Sequence, residues 1–312
     1  MNMKYHIWLI SVICLIIGVS CNRTSRSTGV SLQEDLYAFI DSLSGTVGVA
    51  FVSEGDTVTV NNGVHYPMMS VFKMHEALAV ANTLERSGIS LDTILSINRV
   101  DLDLDTWSPM LKEYTAERFT VLVSKLMEYA VTKSDNNASN LLFRHIVSPT
   151  ETDAYIRSIA KDTTFRIQYS EAEMKADHAL SYCNYTSPLS AALLIKQVME
   201  EPVVGKNYQD SIRQYLSTVT TGQDRLGSVA DGSDITMFAH KTGSGYRNEA
   251  GELIAHNDVG YFRLRDGRSY ALAVLIRDFA GTEAEASAII ADISRRVYRH
   301  VASAQGNPSN LP

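Results

Sequence analysis

An almost unbroken apolar run over residues 7–19 opens the chain behind Lys4, and small residues follow it up to Cys21. It is shorter than the ~20 apolar residues that a membrane-spanning helix needs. Residues 1–21 therefore read as a secretory signal, and the Ser/Thr/Arg-rich stretch 22–30 as a linker. Regular patterning begins at Ser31, where Leu32, Leu36, Phe39, Ile40 and Leu43 recur at helical spacing. Alternating β-branched and small residues over 46–52 and 57–60, around Ser53-Glu54-Gly55-Asp56, predict a hairpin. From Ser70 the pattern turns helical through Leu84 and stays largely helical until β character returns near the end.

Caps locate several helix starts. Ser148-Pro149-Thr150-Glu151 combines an N-cap serine, a first-turn proline and a capping-box glutamate, and Ser187-Pro188 repeats the first two. Residues 120–131 and 138–146 read as helices on either side of a polar loop, Lys133-Ser134-Asp135-Asn136-Asn137. Strands are expected over 235–241, 259–265 and 270–277, with Asp266-Gly267 turning between the last two. A helix over 282–301 starts at a Thr282/Glu285 capping box, and residues 306–312 read as a frayed tail. Strands at both ends can share one antiparallel sheet, with the helical middle forming a second lobe and a cleft between them. The expected fold is α+β. Residues 31–66 and 219–305 form a discontinuous α/β lobe, its antiparallel sheet flanked by helices, and residues 67–218 form an all-helical lobe.

Composition narrows the function classes. With 312 residues, 45% hydrophobic and 20% charged, the chain is an ordinary globular protein with a real core. A net charge of -7 argues against a nucleic-acid partner, which calls for a basic face. Cys14 and Cys21 fall in the signal, so Cys183 is the thiol that remains if Cys21 is lipidated or removed. No intramolecular disulfide is then expected despite an oxidising compartment. Cys183 reads as a small packed residue, since no basic cluster surrounds it in sequence.

Candidate chemistry centres on Ser70 and Lys73. If Ser70 opens a helix, Lys73 lies one turn on and on the same face, within reach of the hydroxyl. A serine becomes a nucleophile when a neighbour accepts its proton and positive potential stabilises the developing charge. Average residue frequencies give about one Ser-x-x-Lys in a chain this long, and Ser158/Lys161 is a second. Two further motifs distinguish the first. Ser134 and Asn136, two apart in a loop taken as extended, project to one side. Lys241-Thr242-Gly243 offers a cation, a hydroxyl and a residue without a side chain against which a flat ligand can lie.

In this order and at these separations, the motifs resemble those of the class A serine β-lactamases and the related penicillin-binding proteins. The resemblance spans nearly the whole chain after the signal. It implies that Ser70 attacks a β-lactam carbonyl, Lys73 helps remove its proton and Ser134 relays a proton to the leaving nitrogen. It further implies that Asn136 holds the acylamide side chain and that Lys241 and Thr242 bind the substrate carboxylate. The backbone N–H groups of Ser70 and Ser244 would form the oxyanion hole. No metal and no cofactor is implied.

Glu171-Ala172-Glu173-Met174-Lys175 resembles the family's Glu-Pro-Glu-Leu-Asn stretch, which makes Glu171 the candidate base for deacylation, with Glu173 as competitor. The chain departs from the family here. Ala172 replaces proline, so a cis peptide is not expected. Lys175 replaces an asparagine that positions water, and it can either pair with Glu171 or point to solvent. Tyr169 and Asn184 stand where an Arg–Asp salt bridge usually pins the loop. These replacements resemble the cephalosporinase-leaning, extended-spectrum subgroup, and three more residues fit it. Trp107 would be an aromatic wall at the cleft mouth, against the alternative of a core tryptophan. Arg225 would reinforce carboxylate binding, against the alternative of a surface arginine. The Ser244 hydroxyl would touch a cephalosporin carboxylate.

The implied activity is hydrolysis of cephalosporins and penicillins through a Ser70 acyl-enzyme. Two alternatives stay open, a D,D-peptidase that deacylates slowly and a relative that binds without turnover. The implied partner is a small-molecule β-lactam, with the chain acting as a monomer in the periplasm. Either lipid attachment at Cys21 or simple cleavage nearby fits the end of the signal.

Overall fold

The computed structural model describes residues 31–230 and 234–303; the signal, Cys21, the linker and the tail lie outside them. In chain order the described elements begin with α1 (Leu32–Ile40), β1 (Thr46–Ser53), β2 (Thr57–Val60), β3 (Tyr66–Pro67), α2 (Phe72–Arg86), β4 (Ile94–Asn98) and β5 (Arg118–Leu122). They continue with α3 (Val123–Thr132), α4 (Asn136–His145), α5 (Pro149–Ile159), β6 (Phe165–Arg166), α6 (Glu171–Ala176), β7 (Tyr185–Thr186), α7 (Pro188–Glu200) and α8 (Lys206–Ser217). β8 (Ile235–Ser244), β9 (His256–Leu264), β10 (Ser269–Arg277) and α9 (Glu283–Ser303) complete the chain. The fold is α+β.

The main sheet has the order β2-β1-β10-β9-β8 with every pair antiparallel. Side chains alternate across a strand, and here both faces are covered. On β10, Ala271, Ala273 and Leu275 enter one core with α2 and α7, while Leu272, Val274 and Ile276 enter another with α1 and α9. The expected caps at Ser148, Ser187 and Thr282 all form, and Ser31 makes a further capping box at the start of α1. α2 is apolar on nearly every side because it runs through the larger core, and Met74, Leu78 and Val80 are fully buried there. That burial gives the residues at its start a rigid base.

The middle of the chain is less helical than its sequence pattern predicts. Residues 120–131 are not one helix: β5 ends at Leu122, paired with β4, and α3 begins at Val123. β3, β7 and β6 form a further small sheet. The Ser158/Lys161 pair has no site around it, since Ser158 donates to the Tyr155 carbonyl on α5 and Lys161 pairs with Glu201.

His75 on α2 is buried against the Phe165 ring, and burial lowers its pKa to about 4. The unfolded chain takes up this proton below the ordinary value of 6.5, whereas the folded chain refuses it until about pH 4. Stability is thus intact above pH 6.5 and falls by about 3 kcal/mol as pH drops to 4. His75→Leu should remove this part of the acid limb in denaturant titrations at neutral pH and pH 4. His256, lowered to about 3 by burial and Arg225, should keep its own.

Candidate active site

The turn that carries Ser70 is clamped from behind. Residues Met69–Val71 form a single 3-10 turn ahead of α2, so Ser70 precedes the α-helix rather than opening it. Met69 has φ +45°, a conformation that costs a bulky residue energy and persists only where the surroundings impose it. Those surroundings are β8 and β9. Asn257 Nδ2 donates to the carbonyls of Pro67 at 2.8 Å and Met68 at 3.2 Å. At Gly243 a Cβ would lie 2.3 Å from the Met68 carbonyl oxygen. The glycine of Lys-Thr-Gly thus admits the backbone of the Ser70 turn, a nearer reason for it than the flat ligand expected from sequence.

Lys73, fully buried one turn on, gathers the site around its ammonium. It donates to Ser70 Oγ at 2.9 Å, the Ser134 carbonyl at 3.0 Å and Asn136 Oδ1 at 2.6 Å, and it pairs with Glu171 Oε1 at 2.9 Å. Ser70 Oγ in turn donates to Glu171 Oε1 at 3.1 Å. A hydroxyl, an ammonium and a carboxylate therefore form a closed triangle. Glu171 reaches it because Ser170 and Glu173 make a reciprocal capping box that starts α6 with Glu171 as its first residue. This sets Glu173 apart from the cleft. Its carboxylate is occupied by the cap.

Ser134-Asp135-Asn136 arrives by a different geometry from the one expected. Ser134 has φ +56° instead of an extended backbone, and α4 already begins at Asn136. Both residues nonetheless line the cleft. Asp135 between them is fully buried, caps α4 at Ala138 N–H, and accepts from Ser108 Oγ at 2.8 Å and Met110 N–H at 2.7 Å. Asn136 Nδ2 donates to Thr106 Oγ1 at 2.9 Å.

On the facing wall, Lys241 Nζ donates to Ser134 Oγ at 3.0 Å. Burial first, and then the Lys73 ammonium, hold the Lys241 pKa well below its usual value. Thr242 Oγ1 lies 2.6 Å from Thr221 Oγ1. Arg225 is buried, not a surface arginine, and donates to Ser244 Oγ at 2.7 Å and the Asn257 carbonyl at 2.8 Å. Trp107 is 62% exposed at the mouth, with its indole N–H on the Lys133 carbonyl, so it is no core tryptophan. The cleft encloses about 740 Å³ and is lined by Ser70, Trp107, Ser134, Glu171, Arg225 and Ser244 among others.

The model of the Beta-lactamase enzyme family matches residues 31–301. The chain belongs to this family. A β-lactamase of Phocaeicola vulgatus is 42% identical over 308 residues, covering 95% of this chain and 96% of that protein. The extended-spectrum β-lactamase PER-1 of Pseudomonas aeruginosa is 32% identical over 289 residues, 91% of this chain and 92% of that one. A crystal structure of a class A β-lactamase from Bacteroides cellulosilyticus superimposes with a TM-score of 0.81 at 29% identity, covering 87% of this chain and 97% of that one. The protein is a class A serine β-lactamase, and hydrolysis of β-lactams, with the antibiotic resistance it confers, is its activity.

The loop bearing Glu171 in this β-lactamase is fastened without the usual salt bridge. Asn184, fully buried, accepts the N–H groups of Gln168 at 2.8 Å and Tyr169 at 3.0 Å and donates to the Tyr169 carbonyl at 2.7 Å. No cis peptide occurs among the described residues. Lys175 pairs with Asp103 at 2.7 Å and Asp105 at 3.5 Å, which leaves Lys73 as the cation on Glu171. Sequence reading overlooked His178, Tyr246, Thr221 and Glu283, all of them in the cleft wall. Local sequence carries no signal for these four, but the Ser170-x-x-Glu173 cap was readable.

Asn184→Ala should strand three backbone groups in the loop. Buried groups left unpaired cost about 1–3 kcal/mol each, so chemical denaturation should show a loss of at least about 3 kcal/mol. Turnover should fall along with it. Asn184→Asp, which keeps two acceptor contacts, should lose less.

Proposed function

We propose that this β-lactamase opens cephalosporins and penicillins through an acyl-enzyme on Ser70 and releases it with water activated by Glu171. The observation carrying this reading is the triangle in which Ser70 Oγ donates to Glu171 Oε1 at 3.1 Å while accepting from Lys73 at 2.9 Å. With the Lys73 protons directed at oxygen acceptors, Glu171 is the group in contact with Ser70 that can take its proton. Ser70 Oγ then bonds to the lactam carbonyl carbon. The N–H groups of Ser70 and Ser244 would stabilise the oxyanion. As the carbon–nitrogen bond breaks, Ser134 would pass a proton to nitrogen and be reprotonated through Lys241, which donates to it at 3.0 Å. The proton that Glu171 took from Ser70 would make good that loss by way of Lys73, so that Glu171 is a carboxylate again before deacylation. Water that gives its proton to Glu171 would next attack the ester, and Ser70 would regain its hydrogen as the product leaves.

The remaining residues would bind substrate. Lys241, Thr242, Ser244 and Arg225 would hold the carboxylate, Asn136 the acylamide through the amide now on Thr106, and Trp107 would wall the mouth. The Lys175–Asp103 pair supports turnover over the non-catalytic alternative, which required Lys175 to neutralise Glu171. The occupied Glu173 carboxylate supports Glu171 as the base. The name of the relative, extended-spectrum β-lactamase PER-1, supports an extended spectrum of β-lactam substrates. We further assign, on the sequence alone, export by the signal and action in the periplasm as a monomer, with the signal ending either in lipid attachment at Cys21 or in plain cleavage nearby.

Glu171→Gln should still acylate, more slowly and with Lys73 as the group left beside the Ser70 hydroxyl, yet deacylate slower still, by about 10²–10⁴-fold as expected for loss of a general base. Intact-mass measurement with a chromogenic cephalosporin should then show a stoichiometric adduct. Parental turnover by Glu171→Gln alongside an inactive Glu173→Gln would move the base to Glu173.

A further inference from the structure

Glu283 shares the cleft wall with Ser70 and Arg225 but has no part in the chemistry above. It is the first residue of α9, and its carboxylate makes no hydrogen bond or ion pair among the described residues. An acid in a helix's first turn is favoured by the helix dipole alone. That accounts for the residue type, though not for its facing an otherwise cationic end of the cleft. Arg225 lies near enough for the Glu283 charge to favour the guanidinium's own, and its Nη2 donates to Ser244 Oγ at 2.7 Å. Lys241 and Thr242 complete that end. Under the binding mode proposed above, the β-lactam carboxylate sits there.

In the cephalosporin nucleus, the ring carbon beside the one bearing the carboxylate carries a second side chain. That side chain is tied to the neighbourhood of the carboxylate site, whose wall includes Thr220, Thr221, Arg225 and Glu283. A neutral substituent gains nothing from an unpaired carboxylate, and an anionic one is repelled. A quaternary nitrogen finds a counter-ion. We propose that Glu283 is a specificity-determining residue that favours cephalosporins carrying a permanent positive charge on this side chain. The proposal rests on the carboxylate-binding mode assigned to Lys241, Thr242, Ser244 and Arg225.

The test compares two cephalosporins with one acyl side chain, one bearing a pyridiniomethyl group beside the carboxylate and the other a methyl group. Their kcat/KM ratio, measured on one enzyme preparation, does not depend on how much of a variant is folded. Glu283→Gln should lower the cationic-to-neutral ratio by roughly two- to five-fold, the size of an exposed ion pair. Glu283→Lys should lower it further, Glu283→Asp should keep most of it, and high salt should shrink the parent's preference. Asp224→Asn makes the same charge change beside Arg225 but outside the cleft wall, and should leave the ratio near the parent value. An unchanged ratio in Glu283→Gln, or an equal fall in Asp224→Asn, overturns the proposal. Failure of the parent enzyme to hydrolyse either compound overturns the binding mode and this proposal together, whereas turnover with an unchanged ratio sinks only the latter.

Discussion

Lys73 and Glu171 are opposite charges 2.9 Å apart with side-chain exposures of 0% and 9%, and much of the structure exists to keep them so. Removing two ions from water costs several kcal/mol each, and their attraction offsets that only where further hydrogen bonds complete the shell. Here Ser70, the Ser134 carbonyl and Asn136 supply them to Lys73. Each is delivered by a separate constraint: the turn clamped on Gly243, the left-handed Ser134, and the Asp135 cap that starts α4. Glu76 lies three residues beyond Lys73 on α2, close enough to compete as the anion if charged. Burial raises its pKa far above the usual carboxylate range, with Ser139 Oγ donating to it at 2.8 Å. With its charge disfavoured in this way, Glu76 leaves the ion pair to Glu171.

The Glu171 carboxylate depends on its loop, and that loop is held mostly by hydrogen bonds rather than by one Arg–Asp ion pair. Asn184 ties its interior through three backbone hydrogen bonds. Toward the sheet, Tyr246 stacks on His178 with ring centroids 3.6 Å apart and donates to Ser181 Oγ at 3.1 Å. Tyr182 reaches Asp278 at 2.6 Å. Hydrogen bonds of this kind contribute about 0.5–1.5 kcal/mol each, but several converging on one segment fix it better than one exposed ion pair would. The Arg–Asp pair familiar from the family is thus replaced by contacts spread over more of the chain. Lys175 adds the remaining tie, to Asp103 and Asp105 across the cleft mouth.

Legibility in the sequence followed the range of the interactions. Caps at Ser148, Ser187 and Thr282 need only residues three apart, and the strands of the main sheet show their alternation directly. The β5–α3 junction was missed because Val121 to Val123 stays apolar across the change, so nothing marks where a period of two becomes one of 3.6. Ser134 was placed correctly on a wrong premise. The left-handed φ that aims it depends on Asp135 being anchored by Ser108 and Met110, distant in sequence. Ser70, Lys73, Lys241 and Glu171 were readable because their motifs are short and ordered. His178, Tyr246 and Glu283 come from three segments that only the finished fold brings to one wall.

The same wall explains how a protein of net charge -7 can favour an anionic ligand. Net charge acts at long range and is screened over about 10 Å at 0.1 M salt, whereas Lys73, Lys241 and Arg225 act inside a cleft where screening is weak. Crowding the three has a cost that appears on Lys241, where burial and the Lys73 ammonium work against its charge. A carboxylate placed beside Lys241 would reverse that balance, because the ligand supplies a counter-charge. Attraction for an anion is therefore built from cations kept close together at some expense to stability. Glu171 relieves part of that expense, which makes the proposed general base a structural counter-ion as well.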